Sequence, residues 1–350
     1  MTLNNRASTR VTIKDVAALA GTSTATVSYV LNNSKERYIT AQMRARVEDA
    51  VKSLGYVKSA VASGLKGKKM GVIAFLTPQF DNHFFLEIFF AIEEIANEMG
   101  YVLSVCNTFD DPTHEKEVLD RMEGLLVDAY IIIPTRNGTE NIERLEKNGV
   151  PYVCVERPVD IGRYDFVSSD NYKAGYDITS HLINMGHRRI ALSYWDSPIV
   201  NLKERLDGYK KALLDNDILY DESLVKVSSD ISIEIGENVT REILIDKSIT
   251  AIFYSQYLLG EGGIRYLKNN GISIPERVSI CVLGAPKWAE MFSPTITHIH
   301  QPGEAIGKKA AEIIFSKLKI NEKMNLDGGE KFVKQIDGTM IYGGSVKKIN

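Results

Sequence analysis

The stretch TIKDVAALAGTSTATVSYVLN, residues 12–32, constrains this chain more than any other. Ile13, Val16, Ala17 and Ala20 recur at helical spacing, which predicts a short helix with one apolar face. Thr12 stands where a cap is needed, with Asp15 three residues on as the acidic member of a capping box. Gly21 suits the left-handed turn at the helix end. Ser23 is set to cap a second helix whose apolar face is Val27, Val30 and Leu31. Two small amphipathic helices joined by a glycine-containing turn predict a helix-turn-helix, although an ordinary helical hairpin has the same outline. The second helix turns Thr24, Ala25, Ser28 and Tyr29 outward, a surface that lets a helix approach a major groove.

Charge separates the two readings. Residues 1–69 hold 12 Lys and Arg against four acids, a net of +8, and the remainder of the chain is −11. A basic head on an acidic body is the layout of a nucleic-acid binder whose body has another task. Thr40 opens a third helix with Val47, Ala50, Val51 and Leu54 inward and Gly55 at its end, giving an all-α headpiece over residues 1–57. Residues 58–69, KSAVASGLKGKK, form a polar, basic hinge or linker.

From Met70 the texture changes to continuously apolar runs (MGVIAFL, YVLSVCN, DAYIIIP, PYVCV) separated by amphipathic helices. A second series follows from Asp170, including RRIALSY, TAIFYS and VSICVL. Unbroken apolar strands fit a parallel sheet covered on both faces, and two such series predict two doubly wound α/β lobes with a cleft between them. Cys106, Cys154 and Cys281 each lie in an apolar run and read as reduced core residues. The six histidines show no zinc spacing, and we find no nucleophile elbow, P-loop or metal-ligand cluster. GEGG at 260–263 falls where a helix is expected and is not a phosphate loop. No metal, no cofactor and no catalytic residue is therefore expected. No apolar run is long enough to span a membrane, and the polar start MTLNNRASTR does not read as a signal peptide, so a cytoplasmic location is expected.

Residues 12–32 resemble the headpiece signature of the LacI/GalR family of transcriptional regulators, T-I-x-D-V-A-x-x-A-G-x-S-x-x-T-V-S-x-V-L-N. The body is similar to the periplasmic-binding-protein-like core of the same family through PYVCVERP, SSDNYKAG, HLINMGHRRIAL, ERLDGYKKAL, NNGISIPERVSI and SPTITHIHQPGEAIGKKA. The resemblance implies a three-helix helix-turn-helix headpiece and hinge followed by a two-lobed core over residues 70–350. Lobe 1 would comprise about 70–167 and 294–325, and lobe 2 about 168–293 and 326–350.

It further implies DNA contacts at Thr12, at Ser23, Thr26, Ser28 and Asn32 on the phosphates, and at Thr24, Ala25 and Tyr29 on the bases. The last is commonly Arg in the family, so Tyr29 alters the preferred base. Leu65 matches a leucine that wedges into the minor groove, although Lys58, Ser59 and Ser63 depart from the usual hinge and Gly64 weakens a helix. The partners implied are an operator duplex, a second copy of the chain held by the core, and a small-molecule effector. The Phe84–Met99 helix and Ile306–Leu318 are the candidate dimer stripes. Effector residues carried over by position are Phe84, Phe85, Glu156, Arg205 and Gln301. Two common polar clamps are replaced by Tyr254-Ser255 and Gly284-Ala285. Tyr254, Ile231 and Trp288 are expected to wall the pocket instead, and the effector to be poorer in hydroxyls than a hexose, with an anionic group paired to Arg205. The rival readings are a transporter's solute-binding protein, a regulator whose core only dimerises, and an enzyme on an α/β scaffold.

Overall fold

The computed structural model describes residues 11–32, 38–57, 69–160, 163–285, 287–320 and 332–349. Two compact units result, Met1–Met70 and Gly71–Asn350. The connector, with Leu65, lies outside the described residues apart from Lys69.

The first unit is built from α1 (Ile13–Ala20), α2 (Thr24–Leu31) and α3 (Ala41–Leu54). Its small core is Val16, Ala17, Ala20, Val27, Val30, Val47 and Ala50, with Ile13, Leu31, Val51 and Leu54 partly buried around it. Caps set the helix ends as their residue types demand. Thr12 N and Oγ1 both donate to Asp15 Oδ2 at 2.7 Å, and those bonds hold the Asp15 carboxyl below its ordinary range. Thr26 N donates to Ser23 Oγ at 3.1 Å, and Met43 N to Thr40 Oγ1 at 3.3 Å. Gly21 and Gly55 close α1 and α3 at φ +60° and +59°, where a side chain would be strained.

The second unit holds two six-stranded sheets. In lobe 1, β1 (Val72–Thr77), β2 (Val102–Asn107), β3 (Ala129–Ile132), β4 (Tyr152–Val155) and β5 (Phe166–Ser169) are joined by β11 (Val333–Ile336) in the order β11-β5-β4-β3-β1-β2, all parallel. One face is covered by α4 (His83–Glu98) and α11 (Gly303–Ile320), the other by α5 (Pro112–Gly124) and α6 (Thr139–Asn148). In lobe 2, β6 (Ile190–Trp195), β7 (Val225–Ser228), β8 (Ala251–Tyr254), β9 (Ser279–Leu283) and β10 (Thr297–His300) follow the order β12-β10-β9-β8-β6-β7, with β12 (Thr339–Ile341) antiparallel to β10. The helices pair as α7 (Asn171–Asn184) with α8 (Val200–Asp215), and α9 (Ile233–Ile243) with α10 (Tyr257–Asn269).

The chain crosses between lobes three times, after β5, after β10 and after β11. These crossings correct the expected lobe limits: 168–169 belong to lobe 1, 294–300 feed the lobe 2 sheet, and 333–336 return to lobe 1. The reason is pairing. Asp170 N donates to Ile336 O at 2.9 Å, so two crossing strands run side by side at the hinge.

Helices α7 and α8 meet backbone to backbone. A Cβ on Gly175 would collide with Arg205 O, and one on Gly208 with Tyr172 O. We predict that Gly208→Ala lowers core stability by about 1–3 kcal/mol, the usual cost of forcing extra volume into a packed contact. Scanning calorimetry would check this, and an unchanged melting temperature would mean that the helices have room to part.

Candidate functional site

Seven of the nine DNA-facing candidates lie together on α2 and its two caps. Thr24 and Ala25 are exposed at the start of α2, and Tyr29 is half-buried one turn on. Ser23, at the N-cap, lies with its Oγ 3.0 Å from Thr26 Oγ1. At the other end Asn32 Nδ2 donates to Ser28 O at 2.7 Å and reaches Ser28 Oγ at 3.2 Å. The candidate phosphate contacts thus also tie off both helix ends. Thr12 is exposed at the start of α1.

The second site is the cleft between the lobes, which holds about 530 Å³ of free space with its mouth included. Phe84 and Phe85, at the start of α4, form part of its wall, together with Glu156, Arg205, Ile231 and Gln301. Six of the eight expected residues therefore come together. Tyr254 does not. Its ring is fully buried, its hydroxyl lies 2.9 Å from Thr240 Oγ1, and it fills the space above Gly263 of α10. The side chain of Trp288 lies outside the described residues. The sequence reading missed Arg157, Trp195 and Asn201 as wall residues, along with the amides Gln79, Asn82 and Gln256 and the ring of Tyr257.

Glu156 is the knot of the cleft. It is 4% exposed, yet its Oε2 accepts from Ser169 N at 2.9 Å and Ser169 Oγ at 3.0 Å. Its Oε1 accepts from Asn201 Nδ2 at 2.8 Å, and the same nitrogen reaches Glu156 O at 2.6 Å. Asn201 sits on α8 in lobe 2, so this bond ties the lobes together. Burial pushes the Glu156 carboxyl up, opposed by the Ser169 amide and the charge of Arg205. Arg205 donates from Nε to Asn171 Oδ1 at 2.8 Å and from Nη1 to Ser255 O at 2.7 Å. Burial brings its guanidinium down to about 10, still charged at neutral pH.

The two replaced clamps acquire physical roles. Ser255 is fully buried, donates its hydroxyl to Ser193 O at 2.8 Å, and supplies only a carbonyl, to Arg205. Gly284 has φ +74°, and a Cβ there would stand 2.5 Å from Gln301 Oε1. The glycine makes room for the amide of Gln301, whose Nε2 lies 3.4 Å from Ser169 Oγ and 3.5 Å from Glu156 Oε1. Across the mouth, Arg136 of lobe 1 stands 5.5 Å from the centre of the Trp195 ring of lobe 2. Among the described residues no cluster of His, Cys, Asp or Glu could hold a metal ion, and no helix is long and apolar enough to cross a membrane.

We predict that Asn201→Ala lowers core stability by about 1–3 kcal/mol, because Glu156 O and Oε1 stay buried while losing a donor. Thermal unfolding at neutral pH is the measurement. A variant as stable as the parent would mean that the cross-lobe bond is no stronger than one to water.

Comparison with known proteins gives the same two-part outline. Residues 12–59 match the family of bacterial regulatory proteins of the lacI type, and residues 70–336 match the periplasmic binding proteins and sugar-binding domain of the LacI family. The HTH-type transcriptional repressor PurR of Aliivibrio fischeri is 32% identical over 312 residues, covering 88% of this chain and 92% of that protein. The probable HTH-type transcriptional regulator EndR of Paenibacillus polymyxa is 30% identical over 342 residues, covering 97% and 99%. Among solved structures, the complex of the regulator CelR with cellobiose is 27% identical with a TM-score of 0.69, over 96% of this chain and 100% of that one. The Lac repressor bound to ONPG, 22% identical over 96% of this chain and 100% of that one, shares the fold with a TM-score of 0.81. The chain belongs to the LacI family of DNA-binding transcriptional regulators.

Proposed function

We propose that this chain is a cytoplasmic, homodimeric transcriptional repressor, not an enzyme, that reads a pseudo-palindromic operator through α2 and senses a small molecule in the interlobe cleft. The observation that carries the reading is the joint presence of an outward-facing α2 and a cleft whose two walls are linked by three chain crossings. An effector that prefers one lobe arrangement shifts the population toward it, and by linkage its affinity and that of the operator alter each other by the same factor. Thr24, Ala25 and Tyr29 would read base edges, and Thr12, Ser23, Thr26, Ser28 and Asn32 would hold phosphates. Leu65 would enter the minor groove between base steps and kink the duplex.

Dimerisation through the core is supported by α4 rather than by α11. Ile306, Ile313, Ile314, Phe315 and Leu318 are all buried inside lobe 1. Along α4 and the adjoining edge strand, Phe90, Met99 and Val102 remain 59%, 42% and 64% exposed. A truncated chain of residues 69–350 is expected to sediment as a dimer, and a monomer would place the contact in the headpiece.

The test of function is a gel shift against the chain's own upstream promoter region, with a scrambled duplex as control. Specific retention is expected. Substituting Thr24 and Tyr29 together should change which operator is preferred, at about 1–3 kcal/mol per altered base contact, with little effect on non-specific binding. An equal loss on both duplexes would remove these two residues from base reading. Failure to retain any promoter fragment would favour a core that serves another task.

A further inference from the structure

The charged side chains of the cleft leave unspent hydrogen-bonding capacity of one kind. Both carboxylate oxygens of Glu156 are already taken by Ser169 and Asn201. Arg205 commits Nε and Nη1 to Asn171 and Ser255, and its Nη2 has no hydrogen bond among the described residues. Arg157 commits only Nη1, to Asp110 Oδ1 at 2.7 Å and Pro134 O at 3.4 Å, which leaves its Nε and Nη2. Guanidinium nitrogens donate and never accept. Beside them Asn201 Oδ1 is a buried acceptor without a partner, on a residue 3% exposed, and the amides of Gln79, Gln256 and Gln301 complete the polar lining.

The backbone brings the second arginine to the cleft. Glu156 has φ +59°, and Arg157 N donates to Val155 O at 2.7 Å, closing a three-residue turn at the end of β4. Neighbours in a strand point to opposite faces. The turn cancels that alternation, so Glu156 and Arg157 both line the cleft. A positive φ at a residue other than glycine is strain of the kind found at ligand-binding positions. Charge runs the same way. Asp110 is shared by two guanidiniums, Arg136 at 2.9 Å and Arg157 at 2.7 Å, so Arg157 has no carboxylate to itself there. The rest of the wall includes the rings of Phe84, Trp195 and Tyr257.

We infer that the effector is an organic anion with an apolar or aromatic body, its carboxylate or phosphate held by Arg157 and Arg205 and one O–H or N–H donated to Asn201 Oδ1. Arg157 is then the specificity-determining residue that separates anions from neutral sugars. This rests on the effector-binding reading of the cleft.

The experiment is a thermal-shift screen of the full-length protein, followed by calorimetric titration, in the absence of DNA. Probes come in matched pairs: glucose against gluconate and glucose 6-phosphate, ribose against ribose 5-phosphate, and benzyl alcohol against mandelate and phenyl phosphate. At least one anion is expected to raise the melting temperature saturably while its neutral partner does not. The carboxylate and phosphate arms identify which charged group is used. Arg157→Gln should weaken that anion roughly ten- to hundredfold, the worth of a hydrogen bond to a charged group. Arg157→Lys, which keeps the charge and loses the fork, should fall between the two. If Arg157→Gln melts early, Arg157→Lys carries the test alone. Binding of a neutral sugar that is indifferent to Arg157→Gln would overturn the inference, and so would a panel in which no anion shifts the melting temperature. A protein that fails to retain its promoter would sink the repressor reading while leaving the anion titration intact.

Discussion

One buried carboxylate organises the core. An ionised Glu inside a protein costs several kcal/mol unless donors surround it, and Glu156 draws those donors from different parts of the chain. Ser169 ends the last strand before the first crossing, and Asn201 begins the helix on the far wall. Gln301, just past the second crossing, lies at the edge of the same group. The relative position of two lobes and two hinge segments is thus referred to a single side chain. Its left-handed backbone follows from the same demand, since the end of β4 must bend inward to deliver the carboxylate. That bend then sets the neighbouring Arg157 on the cleft wall.

The sequence was most legible where local chemistry and burial agree. Caps, a glycine turn and three apolar faces outlined the headpiece almost residue for residue, because so small a core leaves no position undetermined. Strands buried on both faces were equally plain. The crossings were not. β5, β11 and β12 read FVSS, VKQI and TMI, short runs of mixed polarity without a strand period. Their strand state is imposed by pairing at the hinge, and the expected lobe limits slipped accordingly.

The cleft divides along similar lines. Glu156, Arg205 and Gln301 were found through resemblance, since nothing in composition marks them. Arg157 was hidden because alternation along a strand sets it on the face opposite Glu156, and only the turn at Glu156 overrides that. Asn201 looked like an ordinary polar residue in the first turn of a helix. Tyr254 was misread in the other direction, although a signal was present. Gly263 of α10 is the residue that makes room for its ring, and a glycine facing a strand's end marks an inward ring as much as it marks a loop.

The close seating of α7 on α8 carries one more consequence. α7 starts at Asn171, immediately after the first crossing, and α8 bears Asn201 and Arg205. At Gly175 and Gly208 the two backbones come too close for even a Cβ to stand between them. Arg205 also grips Asn171 directly. In the sensing role proposed above, the pair would act as a stiff crank, a displacement of the guanidinium reaching the hinge through a backbone contact that glycine, rather than the size of whatever pushes, holds close.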